Sequence, residues 1–213
     1  MTRALIVVDV QNDFTEGGAL GVDGGADTAA RITDFLHAHA DEYALVVASR
    51  DWHHGEDDNG GHFAASVSGG AVGPDFVTTW PVHCVGGTPG ADYHPAFDTT
   101  AVDVHVRKGM GVPAYSAFEG VDDEGRPLAA VLDDAGVDAV DVVGIATDHC
   151  VRATALDGAS AGLGVRVLDD LVAGVAPGPS TAALAEIRVA GGQVLPSTQA
   201  VTQSDTRTAG GTA

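Results

Sequence analysis

Val140-Asp141-Val142-Val143-Gly144-Ile145-Ala146-Thr147-Asp148-His149-Cys150-Val151-Arg152 reads as a buried strand giving way to a helix. The apolar run Val140–Val143, with one Asp inside it, lacks the in-out alternation of a half-solvated strand. That is the pattern of a parallel strand covered on both faces. Helical character follows from about Val151 to Ala161. Cys150 therefore falls where a strand ends and a helix begins. There the helix dipole and its unpaired N–H groups lower a thiol's pKa and can receive an oxyanion. The position suits a nucleophile. The alternative is a buried structural cysteine, since free Cys is among the most buried residue types.

Further strands and helices alternate on either side of this stretch. Ala4-Leu5-Ile6-Val7-Val8-Asp9-Val10 is an apolar, β-branched run with a carboxylate near its end, expected as a central parallel strand. A Gly-rich turn then precedes a helix over about Asp27–His39, whose Ala30, Ile32, Phe35 and Leu36 give one apolar face. Tyr43–Ser49, Val102–Val106 and Val165–Leu168 read as strands, and Gln193–Leu195 as an edge strand. Arg126–Ala135 and Thr181–Ala190 read as helices. The alternation predicts a three-layer α/β/α sandwich on a mostly parallel, Rossmann-like sheet. Residues 1–196 are expected to form one domain. From Ser197 to Ala213 the chain is polar and small, and a disordered tail is expected there.

In such a fold Asp9, Asp51, Lys108 and Cys150 fall on one sheet edge, the edge at which open parallel sheets bind ligands. Between the second and third strands, Arg50–Asp98 is rich in Gly, Asp, His and Pro and too long for a passive connection. Trp52, Phe63, Phe76, Trp80 and the histidines within it oppose a disordered reading.

Composition narrows the partners. The 213 residues carry 30 acidic and 10 basic side chains, a formal net charge of −20. That charge argues against nucleic acid and anionic membranes, and suits a solvated surface adapted to high salt. No apolar run is long enough for a membrane helix, and the N-terminus lacks a signal-peptide pattern. A cytoplasmic protein, monomeric or a small homo-oligomer, is expected. Of two cysteines, Cys84 and Cys150, no disulfide is expected. Lys108 is the only lysine in the chain, so a specific task for it is plausible.

The chemistry these residues allow is coherent. Asp51-Trp52-His53 places two ligand types at i and i+2, facing the same way in extended chain. His62 and His83 lie further along. Three imidazoles and a carboxylate suit one divalent transition metal such as Zn, Fe or Mn. His37, His39, His54, His94 and His105 read as surface or locally packed residues, and His149 is left between the nucleophile's neighbour and a structural role. Asp9 could take the Cys150 proton and return it to a leaving amine. Lys108 would favour thiolate and oxyanion. Backbone N–H groups of Ala146 and Cys150 could form the oxyanion hole.

Five segments together carry a resemblance: 7–14 (Val-Val-Asp-Val-Gln-Asn-Asp-Phe), Asp51-Trp52-His53, Trp80-Pro81-Val82-His83-Cys84, Lys108-Gly109 and 144–151. They resemble the nicotinamidase/pyrazinamidase branch of the isochorismatase-like hydrolases, in order, over about Arg3 to Leu195. The resemblance implies an Asp9–Lys108–Cys150 triad and a metal held by Asp51, His53, His62 and His83 with waters. It implies that this metal binds the pyridine nitrogen and turns the carboxamide towards the thiolate. Phe14 and Trp80 match ring-packing positions and Tyr115 a pocket residue. A cis peptide is implied at Ile145–Ala146. The insert Asp57–Gly61 and the residues between Lys108 and Tyr115 depart from the pattern without removing a catalytic or ligand position.

The leading expectation is thus a metal-dependent cysteine amidohydrolase converting nicotinamide, and pyrazinamide, to the acid and ammonia through a thioester, in NAD salvage. A related carbamoyl or ureido amidohydrolase is the alternative, against which the three histidines speak. A catalytically idle metal-binding or interaction protein is a third.

Overall fold

The computed structural model describes residues 1–64 and 73–208. Six strands form one parallel sheet: β1 (Arg3–Val8), β2 (Leu45–Asp51), β3 (Val104–Lys108), β4 (Ala139–Ile145), β5 (Gly164–Ala173) and β6 (Gln193–Leu195). Their order is β3-β2-β1-β4-β5-β6, with every adjacent pair parallel. The run direction reverses between β1 and β4. In a doubly wound sheet the crevice at such a switch point, outside the carboxyl ends, is where ligands bind.

Helices cover both faces. On one, α1 (Gly25–His39) packs Ala29, Ile32, Phe35 and Leu36 against Leu5, Val7, Val46, Ala48 and Val143. Helix α5 (Ser197–Thr208) joins this layer through Ala200. On the other face, α2 (Leu128–Asp134), α3 (Arg152–Ser160) and α4 (Pro177–Val189) contribute Leu128, Leu132, Ala155 and Ile187 over Ala4, Ile6, Val8, Val140 and Val142. β1 is buried from Ala4 to Val8 and β4 throughout, which is why both read as apolar runs, that of β4 interrupted by a single Asp. Burial of this kind is worth about 25 cal/mol per Å² of apolar surface.

The one Asp inside β4 is compensated. Asp141, fully buried, accepts hydrogen bonds from Arg3 at 2.7 Å, Arg166 at 2.7 and 2.5 Å, and Tyr43 at 2.8 Å. A charge in that position is tolerated only with partners. Gly144 has φ +115° and lies against β1, where a Cβ would come within 2.7 Å of the Val8 nitrogen. Only glycine permits β4 to stay in register there.

The sheet is wholly parallel, where a mostly parallel one was expected. The expectation of a structureless tail needs correction over 197–208, which α5 occupies. Its start is fixed to the domain: Ser197 donates to Asp170 from its backbone N–H and its hydroxyl, both at 2.7 Å. Arg166 donates to the Ala200 carbonyl at 3.3 Å. Polar composition hid these few anchors. Residues 209–213 lie outside the described residues. Both cysteines are free and buried. No described helix is long and apolar enough to cross a membrane.

Candidate active site

Four strand ends supply the charged residues of the cleft. Asp9 follows β1 directly and holds φ +48°, a left-handed conformation that a non-glycine residue adopts only at a cost. Its Oδ1 accepts from the Ser49 hydroxyl at 2.7 Å. Asp51 ends β2 and Lys108 ends β3, and the two are register partners across the parallel pair. Gln11, fully buried, grips Asp51 at both backbone groups, donating to its carbonyl at 2.9 Å and accepting from its N–H at 2.8 Å. After β4, residues Thr147–Val151 form a wide π-type turn that leads into α3, and Cys150 sits in it.

These side chains converge on the ammonium of Lys108. Its Nζ lies 2.9 Å from Asp9 Oδ2 and 3.8 Å from Cys150 Sγ, and it donates to Asp51 Oδ1. Lys108 is 1% exposed. Although burial works against a buried cation, Asp51, Asp9 and Cys150 hold its pKa well above the ordinary value. Burial pushes the Asp9 carboxyl up, against the pull of Lys108. Asp51 goes the other way: burial opposes its charge, but the Lys108 ammonium holds it well below the usual carboxylate range. The two carboxylates share one ammonium unequally, so their environments separate a base from a permanent anion. For Cys150, burial pushes the thiol well up in spite of Lys108. This burial works against the acidifying effect expected of the helix start and the lysine. Asp9, Asp51 and Cys150 also cluster tightly enough to suggest ligands, but the Lys108 ammonium already contacts all three.

The second cluster adjoins Asp51. His53, His62 and His83 are buried, and their ligand nitrogens lie within 4.8 Å of one another. His53 Nδ1 donates to the Gly109 carbonyl at 2.8 Å and His83 Nδ1 to the Pro81 carbonyl at 2.7 Å. A carbonyl has no proton to give, so each ring carries its hydrogen on Nδ1 and presents a lone pair at Nε2. Those Nε2 atoms stand 3.7 and 3.8 Å from Asp51 Oδ2. Burial and the neighbouring His53 and His83 lower the His62 pKa to about 4, which keeps it neutral. His53 Nε2 and His62 Nδ1 are buried polar atoms with no hydrogen-bond partner among the described residues. Converging imidazoles, a carboxylate and an orphaned lone pair fit a divalent ion.

Local geometry within Arg50–Asp98 makes this cluster. Short bridges pair His53 with Val85 and Phe63 with Trp80. Trp80 donates its N–H to the His62 carbonyl at 2.9 Å and His53 its N–H to the Cys84 carbonyl at 3.0 Å. Asn59 fastens the insert, its Oδ1 accepting from the N–H groups of His54 at 2.8 Å and Gly111 at 3.2 Å.

A cavity of about 410 Å³ opens over both clusters, lined by Phe14, Leu20, Val22, Trp80, Tyr115, Ala146 and Cys150, among others, with Asp51, His62 and His83 at its polar end. The Trp80 indole N–H donates to the Tyr115 hydroxyl at 2.9 Å. The structure thus brings together every residue singled out from the sequence. The Ile145–Ala146 peptide is cis. The other five histidines stay apart: His37 meets Asp98, His39 meets Glu42, His54 meets Asp57, His105 meets Tyr93, and His94 accepts from the Ala96 N–H.

Four contributors had no site role assigned from the sequence. Gln11 and Ser49 act through hydrogen bonds that no spacing announces. His149 lines the cavity between Trp80 and Tyr115, with ring centroids at 5.1 and 6.3 Å, and its place beside Cys150 was the available signal. Phe76 lines the mouth.

Residues 3–199 match the family described as the isochorismatase domain. The chain is 54% identical over 188 residues to the nicotinamidase/pyrazinamidase of Mycobacterium tuberculosis, covering 88% of this chain and 95% of that protein. The pyrazinamidase of Pyrococcus horikoshii in complex with zinc superposes with a TM-score of 0.76 at 37% identity, covering 92% of this chain and 99% of that one. PnC1 from L. infantum in complex with nicotinate gives a TM-score of 0.76 at 35% identity, over 92% and 93% of the two chains.

Proposed function

We propose that this chain, which belongs to the isochorismatase family, hydrolyses nicotinamide, and likewise pyrazinamide, to the acid and ammonia. The observation that carries the reading is the contact of one buried ammonium, Lys108, with both Asp9 and Cys150. Beside it lies the His53, His62, His83 and Asp51 cluster. The 54% identity to a nicotinamidase/pyrazinamidase and the nicotinate complex of a structural neighbour support the substrate.

In this account Cys150 Sγ attacks the carboxamide carbon while its proton passes to Asp9, whose raised pKa makes it the base. Lys108 offsets the charge, and the N–H groups of Ala146 and Cys150 receive the oxyanion. Collapse of the tetrahedral adduct breaks the C–N bond. Asp9 returns the proton to the departing nitrogen, and ammonia leaves a thioester on Cys150. A water that gives its proton to Asp9 then cleaves the thioester, releasing the acid and restoring the thiol. Phe14, Trp80 and Tyr115 hold the ring. Asp51, His53, His62 and His83 would hold one divalent transition metal (Zn, Fe or Mn), with zinc favoured by the neighbour's complex. When bound, such an ion supplies a Lewis acid for the ring nitrogen and fixes the direction of the carboxamide.

The setting we propose is cytoplasmic NAD salvage by a monomer or small homo-oligomer. The test is ammonia release from nicotinamide, at low and at molar salt, before and after chelation. Release that chelation abolishes and a divalent ion restores is expected. No release under any of these conditions would instead favour a carbamoyl-type amidase.

A further inference from the structure

Asp75, Phe76, Val77, Thr78 and Thr79 form a turn that is built around one carboxylate. Asp75 Oδ1 accepts the backbone N–H groups of Val77, Thr78 and Thr79 at 2.9, 2.8 and 2.8 Å, and Oδ2 accepts the Thr78 hydroxyl at 2.6 Å. The Asp75 N–H donates to the Thr79 hydroxyl at 3.0 Å, and the Phe76 N–H to the Thr79 carbonyl at 3.1 Å. The turn holds Phe76 at φ +56°, a conformation that a bulky side chain adopts only when its surroundings impose it.

The imposed conformation has a visible result. The Phe76 ring stands edge-on to Trp80, with centroids 6.2 Å apart and planes at 85°. It lines the cavity while remaining 57% exposed. A residue that is both lining and exposed sits where the cavity opens. Val175, 56% exposed, lines the same opening. It is also held by an aspartate, since Asp148 Oδ1 accepts the Val175 N–H at 2.9 Å. Exposing a phenylalanine on a surface this acidic leaves apolar area in water, a cost that contact with a flat apolar ligand would recover.

We propose that Phe76 is a specificity-determining residue, closing the open end of the ring slot so that single-ring carboxamides are selected over larger ones. Asp75 is the positioning residue that holds it there. The inference rests on the amide-hydrolase reading given above. Phe76 adds an edge contact to the substrate ring, and with Val175 it sets the width of the opening.

Steady-state hydrolysis by the metal-loaded full chain tests this, with nicotinamide and the two-ring quinoline-3-carboxamide as substrates. Phe76→Ala is expected to raise KM for nicotinamide about three- to tenfold, the scale of one aromatic contact, with a smaller change in kcat. The kcat/KM ratio of the two-ring to the one-ring amide should rise about tenfold, and Phe76→Tyr should restore both values. Asp75→Ala should reproduce the Phe76→Ala effect, with Asp75→Asn intermediate because one acceptor oxygen remains. In the Phe76→Ala background, Asp75→Ala should add nothing. Nicotinate binding by calorimetry reads the same contact without turnover. Unchanged KM, unchanged nicotinate affinity and an unchanged ratio in Phe76→Ala would overturn the proposal. A further loss from Asp75→Ala in that background would overturn the positioning role. A wild-type chain that neither binds nicotinate nor releases ammonia would instead remove the functional reading beneath it.

Discussion

Asp9 Oδ2 and Lys108 Nζ lie 2.9 Å apart with neither side chain exposed. Burying such a pair costs several kcal/mol per ion in desolvation, which the mutual attraction offsets only while both partners are present. Lys108 also serves Asp51 and stands near Cys150, so this one cation holds the polarity of the whole cleft.

Replacing it should therefore damage stability and chemistry together. Lys108→Met leaves two buried carboxylates without a counter-charge. The expected loss is about 3–5 kcal/mol of stability, together with a fall in kcat of at least about 100-fold from lost charge stabilisation. Lys108→Arg should not rescue it, because a planar guanidinium does not fit a site shaped around one ammonium. Thermal unfolding and ammonia release read both effects, and a wild-type melting temperature in Lys108→Met would refute the argument.

The metal cluster depends on a glycine. Gly109 holds φ +76°, and a Cβ there would come within 2.5 Å of His53 Cε1 and 2.9 Å of its Nδ1. Gly109→Ala should displace the His53 ring, lowering metal content and activity in parallel, and added metal should recover part of both. His83→Ala should lower both without recovery. Elemental analysis of the purified variants decides it. Full metal content in His83→Ala would remove that residue from the ligand set.

Acid should loosen the metal-free protein over a defined range. His62 is lowered to about 4 by burial and by His53 and His83, whereas an unfolded histidine titrates near 6.5. Between these values the unfolded chain binds more protons than the folded one. The contribution is thus complete above about pH 6.5 and is lost as pH falls towards 4. Metal release should follow the same range, since ligation requires neutral imidazole. The melting temperature of chelated protein should fall over that window, and His62→Phe should flatten this part of the decline. An equally steep decline in His62→Phe would assign it to other groups.

Much of this was legible in the sequence because it follows from burial. β1 announces itself as an apolar run and β4 as one interrupted only by Asp141, and Asp9 and Cys150 follow their ends. The limits of elements were less legible where polar residues continue a strand or a proline opens a helix. β5 runs on through the exposed Asp169 and Asp170 to Ala173, and α4 begins at Pro177 within a Gly-Pro stretch. Pro suits a first helical turn, where its missing N–H is not needed. Asp141 looks misplaced in a buried strand until Arg3, Arg166 and Tyr43, all distant in sequence, are brought to it. The same holds for Gln11 and Phe76. Their roles rest on hydrogen bonds and ring contacts made across the fold, which no local pattern encodes.

The account stands most directly on ammonia release from nicotinamide by Cys150→Ala, measured beside the wild-type chain with metal content checked in both. It predicts no release above the uncatalysed background from a variant that retains its metal and still binds nicotinamide. Wild-type release by that variant would contradict the thioester mechanism and the assignment of Cys150.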